Sequence, residues 1–557
     1  MKAHEAIART LKDIGVRTMF GLIGDANLLV VNSFIKECDG DYVGAANEAG
    51  ATLMALGYAS VSGQVGVATV TCGPGFTNTM TPLVEGVKSH LPMVLIVGQA
   101  SNREKFSPQK ISHRDFALAA GAGYEQAENT ESVCRDLISA FRRAESEQRP
   151  IVFEMISYNL MDKESGEYKG KQRISIKRSF ETLDSQDLDA AIGVIATAKR
   201  PLIVVGYGAM KDDAREEILA LARRIDAPIM TTLRAKDLYF GDPLNLDIFG
   251  YSAHPDTTQV VTDCDCIISF GASLNFITTL RGALFRGKRT IAINNSSSDI
   301  GKYIDTDIAV LADCKSVARR IVYWLDEAEI APSGFASEPA VRDAANAINS
   351  PRNTSGNPSA TRGARGGMDL REIFGEIAAA IGKECILATG LGRHAGYTWH
   401  AFRVAEPRLF VPGHSYGAIG LTLSLAIGAA KAEPGLTTVV TTGDGAFMLG
   451  DMSEFNTAVR YGLDLVVVVC NDGSYGAEYE QLANNDMDPS ITIFDWPELS
   501  SVAKALGGAS AVVRERADLE RIKETIAARD RRVPLLIEIR MDPSSIRRFQ
   551  GMKIHQI

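Results

Sequence analysis

Thr437-Thr438-Val439-Val440-Thr441-Thr442 leads into Gly443-Asp444-Gly445, and Leu465-Val466-Val467-Val468-Val469-Cys470 leads into Asn471-Asp472-Gly473. Each apolar run reads as a buried strand, the first ending at Gly443 and the second at Asn471. Residues 452–461 between them read as a helix, with Asp451 as its N-cap, Glu454 three residues on as the other half of a capping box, and Gly462 as the stop. A strand, helix, strand unit of this length favours a right-handed crossover between parallel strands. Asp444 and Asn471 therefore emerge together at carboxyl ends of strands, the edge where open α/β sheets bind ligands.

The residue types suit a divalent cation bound with a phosphate group. Magnesium takes hard oxygen ligands, usually a carboxylate or two together with phosphate oxygens. Asp444 supplies charge, Asn471 a neutral carbonyl, and Gly473 a backbone oxygen. Gly443 and Gly445 let the backbone approach phosphates, with the following amides, from Ala446 on, aimed at the anion. Either triplet alone reads equally as a tight turn. Their pairing, each directly after a strand, carries the metal reading.

Working outward, 557 residues exceed a single core and suggest roughly three to four domains. A hydrophobic content of 45% with 23% charged residues is globular, and a net charge of -9 argues against a nucleic-acid-binding surface. No apolar run reaches the roughly 20 residues of a membrane span. The N-terminus enters a helical pattern at Ala3-His4-Glu5-Ala6-Ile7-Ala8, with no signal-peptide pattern. The eight cysteines are scattered and read as reduced core thiols of a cytoplasmic protein. Cys264-Asp265-Cys266 hints at a metal site but has no second ligand pair.

The chain divides into three doubly wound α/β domains: 1–162, 185–330 and 369–542, with a tail from 543 to 557. In the first, strands are expected at Val65 to Thr71 and Met93 to Val97, and in the second at Leu202 to Val205 and Cys266 to Phe270. Polar linkers are expected at 162–171 and 351–359. The tail, with Arg547 and Arg548, closes over a site or lies on the surface.

The Gly-Asp-Gly and Asn pair resembles the cofactor signature of thiamine-diphosphate-dependent enzymes. The similarity covers nearly the whole chain and is closest to the acetolactate synthase and 2-oxo-acid decarboxylase group. The resemblance implies a pyrimidine-binding first domain, a central domain and a diphosphate-binding third domain. It also implies a homodimer with the cofactor between the first domain of one subunit and the third of its partner, commonly doubled to a tetramer. Asp444, Asn471 and the Gly473 carbonyl would then hold Mg2+ against the diphosphate, with Tyr475 also at the cofactor.

In such enzymes a carboxyl group in a dry pocket polarises the cofactor's aminopyrimidine. Glu48, in Gly44-Ala45-Ala46-Asn47-Glu48-Ala49-Gly50, is the candidate. In isolation a glutamate in a first helical turn is equally a solvated residue favoured by the helix dipole. The Cys72-Gly73-Pro74-Gly75 turn that follows matches the family pattern and puts Gly73 at the cofactor, whereas Asn47 departs from the frequent His. In Gly413-His414-Ser415-Tyr416-Gly417-Ala418-Ile419-Gly420, the resemblance sets the Gly417 backbone against the aminopyrimidine and Ile419 beneath the bent cofactor; without it Ile419 reads as core. In Gly390-Leu391-Gly392-Arg393-His394, Arg393 and His394 touch phosphate or are exposed loop residues.

Substrate choice is where the resemblance thins. The Phe-Gln-Glu and Arg-Pro runs common in acetolactate synthases are replaced by Ser107-Pro108-Gln109-Lys110-Ile111-Ser112-His113 and a segment reaching Tyr124. Gln109 and His113 are the polar candidates nearest the reacting carbon, although a lone histidine is more often a structural hydrogen-bonder. In the central domain Val205-Gly206-Tyr207-Gly208-Ala209 is only a partial nucleotide loop, and Gly271-Ala272-Ser273 lacks the Arg of flavin-binding relatives, so FAD is not expected. The expected activity is that of a thiamine-diphosphate- and Mg-dependent lyase or carboligase on a 2-oxo acid. The alternatives are a 2-hydroxyacyl-CoA lyase or cyclic dione hydrolase with the same cofactor, and a non-catalytic homologue.

Overall fold

A computed structural model describes residues 1–101, 103, 105–165, 184–349 and 369–544. It contains three six-stranded sheets, each wholly parallel in its pairings. The first holds β1 (Thr18–Gly21), β2 (Asp41–Gly44), β3 (Gly66–Val70), β4 (Met93–Gln99), β5 (Gly123–Gln126) and β6 (Pro150–Ser157), in the order β2-β1-β3-β4-β6-β5. The second holds β7 (Pro201–Val205), β8 (Ile229–Thr231), β9 (Asn245–Ile248), β10 (Cys266–Phe270), β11 (Arg289–Asn294) and β12 (Ile308–Leu311), ordered β12-β11-β10-β7-β8-β9. The third holds β13 (Cys385–Thr389), β14 (Phe410–Pro412), β15 (Thr437–Gly443), β16 (Leu465–Asn471), β17 (Ala509–Val513) and β18 (Leu535–Arg540), ordered β14-β13-β15-β16-β18-β17. The α/β expectation is met, and the first and third sheets share one strand order. Those two sheets lie in one compact unit and the second sheet in another.

The central strands are buried on both faces, which is why they read as unbroken apolar runs rather than alternating ones. β15 and β16 pair in register from Thr438 opposite Leu465 to Gly443 opposite Cys470, so the two turns leave the sheet side by side. β13 and β15 flank the point where the strand order reverses in the third sheet. At the corresponding reversal in the second sheet, the loops after β7 and β10 bond to each other, Gly208 N–H donating to Gly271 O at 2.9 Å.

The capping box expected at Asp451 and Glu454 does not form. The chain is already helical from Asp444, through a π-helical turn at Phe447–Asp451, into the helix Met452–Arg460. Amides at the start of that helix are satisfied by the preceding turns, so neither acid has an orphan to cap. Both side chains are spent on other segments. Residues 166–171 and 351–359 of the expected linkers, and tail residues 545–557 with Arg547 and Arg548, lie outside the described residues.

The helix Glu48–Ser62 after β2 and the helix Thr422–Ala432 after β14 hold equivalent places in the first and third sheets, and they pack against each other. A Cβ on Gly57 would lie 1.9 Å from the Leu425 carbonyl oxygen, and one on Gly428 1.8 Å from that of Met54. Each glycine sits three residues beyond the carbonyl that the other approaches, so the crossing is reciprocal. Glycine costs about 1 kcal/mol against alanine inside a helix, a cost accepted here for backbone contact.

Gly57→Ala should therefore lower the urea midpoint, because a clash worth about 1–3 kcal/mol outweighs the propensity gain. Gly193→Ala, in the helix Gln186–Thr197 with open space around the position, should raise the midpoint, adding about 1 kcal/mol of stability.

Candidate functional site

Four turns meet at the carboxyl edge of the third sheet: Gly390 to His394 after β13, Gly413 to Gly420 after β14, Gly443 to Ala446 after β15, and Asn471 to Tyr475 after β16. Asp444 is 3% exposed, and its Oδ2 has no hydrogen-bond partner. Burial, and then the Asp472 carboxylate, push its pKa up to about 7 against the amides of Gly445 and Gly473. A buried carboxylate oxygen without a donor is costly for the protein alone and suited to a cation.

Asn471 ends β16 with its side chain held at both ends. Nδ2 donates to Glu538 Oε1 at 2.7 Å, and Oδ1 accepts from Gly473 N–H at 3.2 Å. The Gly473 carbonyl accepts from Phe494 N–H at 2.8 Å, leaving it one further lone pair for a metal. Gly443 closes β15, and Ala446 is buried in the turn that follows. The Tyr475 ring lies directly over Gly445, where a Cβ would come within 2.5 Å of it. Beyond it Phe494 and Trp496 continue an aromatic ladder, with centroids 4.7 and 4.8 Å apart in turn.

Arg393 and His394 are both buried, so the exposed-loop reading of them does not hold. Arg393 pairs with Asp472 at 2.6 Å and donates to the Pro543 carbonyl at 2.9 Å, tying the Asn471 turn to the point where the chain leaves β18. Burial drives the His394 imidazole down to about 4, so it is neutral at pH 7. Its Nε2 has no partner, and the place of a Gly443 Cβ is 3.9 Å from its Cε1. Gly417 is exposed and Ile419 half-buried rather than core. Their turn is held by Glu85, whose buried carboxylate accepts from Ser415 N–H at 2.9 Å and Tyr416 N–H at 2.7 Å.

Glu48 opens its helix, with Asn47 as N-cap accepting from Gly50 N–H at 2.7 Å. The Glu48 carboxylate is half-buried, not in the dry pocket expected, and accepts from Asn78 Nδ2 at 3.0 Å. No hydrogen bond or ion pair joins it to Asp444 among the described residues. The helix start is held instead by Glu454, which accepts from Ala46 N–H at 3.1 Å and Asn47 N–H at 3.2 Å.

His113 and Tyr124 face inward. His113 Nε2 accepts from Gly73 N–H at 3.1 Å and its Nδ1 stands 3.3 Å from Glu154 Oε2. Glu154 also takes the Tyr124 hydroxyl at 2.5 Å and Gln99 Nε2 at 3.0 Å. Burial works to raise the Glu154 carboxyl, but these donors bring it below its usual range. His113 thus supports the Gly73 turn from behind. Gln109 is exposed, with Oε1 3.5 Å from Cys72 Sγ.

Glu85, Glu154, Glu454 and Glu538 hold the turns of the site and are absent from the sequence candidates. Two carried a readable signal: Glu154 in Pro150–Ser157 and Glu538 in Leu535–Arg540 are lone acids inside buried strands. Asp451 is similarly buried, accepting from Leu423 N–H at 3.0 Å and the Thr442 hydroxyl at 3.2 Å, and burial pushes it up to about 7.

Comparison with known proteins is consistent along the chain. Residues 1–117 match the family model described as thiamine pyrophosphate enzyme, N-terminal TPP binding domain; residues 188–321 match the central domain and 390–539 the C-terminal TPP binding domain. The chain is 25% identical to a probable acetolactate synthase large subunit of Methanocaldococcus jannaschii, over 98% of its own length and 92% of that protein. It is 26% identical to a sulfoacetaldehyde acetyltransferase of Castellaniella defragrans, over 92% and 88%. It is also 26% identical to an acetolactate synthase of Mycobacterium bovis, over 85% and 76%.

Because Asp444 must lose its proton to bind a cation, Mg2+ affinity should fall by up to about tenfold per pH unit below about pH 7, measured by calorimetry across pH 5 to 8. Asp451 holds a proton in the folded chain that the unfolded chain releases near pH 4. Its contribution to stability is full below about pH 4 and lost as pH rises toward about 7. Asp451→Asn should flatten the fall in metal-free stability across that window by up to roughly 4 kcal/mol, read from denaturation midpoints at each pH.

Proposed function

The chain belongs to the thiamine-pyrophosphate enzyme family, whose members make or break carbon–carbon bonds, and we propose that it is a Mg2+-dependent, acetolactate-synthase-like lyase or carboligase acting on a 2-oxo acid. The observation that carries the metal half of this reading is the buried, donorless Oδ2 of Asp444 beside the amide oxygen of Asn471. These are hard oxygens of the kind Mg2+ takes, and the Gly473 carbonyl retains a lone pair to join them. When bound, thiamine diphosphate would supply the nucleophilic carbon and the electron sink for cleaving the bond beside a keto group.

The chain's own residues would bind and orient. His394 would reach a diphosphate oxygen through its partnerless Nε2 once that nitrogen carries a proton, the anion opposing the burial that otherwise keeps the ring neutral. The Arg393–Asp472 pair would hold the Asn471 turn rigid, with further guanidinium N–H donors to offer a phosphate oxygen. Glu48 would hydrogen-bond the aminopyrimidine ring nitrogen and share its proton. Gly417 and Ile419, on the turn that Glu85 holds, would support that ring, and the ladder from Tyr475 to Trp496 would exclude water on the Gly445 side.

A homodimer sharing each site between two chains, with a tetramer as its doubling, is supported by the match to this family alone. A cytoplasmic location is supported by cysteines that are all free of disulfides. Among the described residues no helix is long and apolar enough to cross a membrane.

The test is carbon dioxide release from pyruvate and longer 2-oxo acids, with sulfoacetaldehyde, an acyl-CoA and a cyclic dione assayed in parallel. A 2-oxo acid should be consumed, and Glu48→Gln should slow that turnover by about 10²–10⁴-fold. Consumption of the acyl-CoA or dione with no 2-oxo acid turned over would overturn the proposal.

A further inference from the structure

Glu538 lies in the middle of β18 with none of its surface exposed. Three donors converge on it: Asn471 Nδ2 at 2.7 Å and Arg540 Nη1 at 3.0 Å on Oε1, and the Ser500 backbone N–H at 2.8 Å on Oε2. β16 and β18 are adjacent and in register, Val469 opposite Glu538 and Asn471 opposite Arg540, so the carboxylate reaches the last side chain of β16 from the neighbouring strand. A buried carboxylate is tolerable only with such donors. Two of these, the amide and the guanidinium, are independent of any ligand in the site.

The consequence falls on Asn471. Turned over, its carbonyl oxygen would face the Glu538 carboxylate and its NH2 would face the Gly473 N–H, pairing acceptor with acceptor and donor with donor. Its orientation is thereby forced, with the oxygen toward Gly473. Asp444 follows the end of the neighbouring strand, Gly443 pairing with Cys470, so the Asn471 oxygen and the Asp444 carboxyl leave the sheet at the same edge. An NH2 in place of that oxygen would point a donor at a cation.

We infer that Glu538 is a positioning residue of the metal site, selecting the oxygen end of the Asn471 amide for the cation. Groups of this kind, which orient the ligands, typically change metal affinity by about 10–100-fold when removed. The inference rests on the metal site proposed above, and its test separates the two.

In Glu538→Gln the new side chain can give its oxygen either to Ser500 N–H or to Asn471 Nδ2 and Arg540 Nη1 together. The Ser500 backbone cannot turn, whereas Asn471 can rotate and the partly exposed Arg540 side chain can swing to solvent, so the Gln NH2 faces residue 471, whose amide rotates and offers NH2 to the cation. Mn2+ affinity, read from the electron paramagnetic resonance signal of free Mn2+ with saturating thiamine diphosphate, should fall by about 10–100-fold. Adding Asn471→Asp to Glu538→Gln restores an oxygen on both sides of residue 471 and reverses the polarity of the same hydrogen bond, and affinity should return to within about tenfold of wild type. Asn471→Asp alone sets two carboxylates against each other and should not bind Mn2+. Unchanged affinity in Glu538→Gln, or a loss that the double variant fails to recover, overturns the inference while leaving the metal site standing. Wild-type protein that does not bind Mn2+ overturns both.

Discussion

Backbone contact between the helices Glu48–Ser62 and Thr422–Ala432 is the constraint on which the rest of the larger unit depends. The approach is close enough that a Cβ at Gly57 or Gly428 would overlap a carbonyl oxygen of the opposite helix. One helix begins with Glu48, and the other follows the Gly413 to Gly420 turn. Their spacing therefore sets where the first sheet's catalytic candidate stands relative to the third sheet's ligand edge. Side chains at such a crossing could adjust, whereas backbone against backbone leaves one separation.

Around that crossing, buried carboxylates do the holding. Glu85 reaches from the first sheet's helices to the Ser415 and Tyr416 amides, and Glu454 reaches back from the third to the amides that precede Glu48. Asp451 ties the Leu423 amide to the Thr442 hydroxyl, and Glu538 secures Asn471. Two turns of the candidate site, those after β14 and β16, are gripped by an acid distant in sequence. Asp444 differs from these four in keeping one carboxylate oxygen with no donor. The four acids with donors on their oxygens hold the fold, and Asp444, lacking one at the sheet edge, is the acid suited to a cation.

Much of this was legible beforehand. Unbroken Val and Ile runs ending in Gly-Asp-Gly and Asn-Asp-Gly announced parallel strands with a ligand edge, since strands buried on both faces cannot alternate with polar residues. The glycine turn after Glu48 singled it out only through the family resemblance, and the half-buried carboxylate differs from the dry pocket expected. Glu454 was readable only as half of a capping box, because sequence shows its spacing from Asp451 but not that the helix had already begun at Asp444. His113, a plausible catalytic histidine by composition, has Gly73 N–H on one ring nitrogen and Glu154 near the other. Sequence separations of 40 and 41 residues hide that arrangement.

By itself the sequence determined three parallel α/β sheets, the positions of their strand-end turns and the oxygen-bearing side chains those turns carry, because strand burial and turn chemistry depend on neighbouring residues. Only the tertiary structure decided which acids are anchors and which is open. A carboxylate taken out of water needs donors. Here they come from other strands and helices: Ser500 for Glu538, Leu423 for Asp451, Ala46 for Glu454. No local pattern encodes such pairings, since they exist only once the sheets and helices have met.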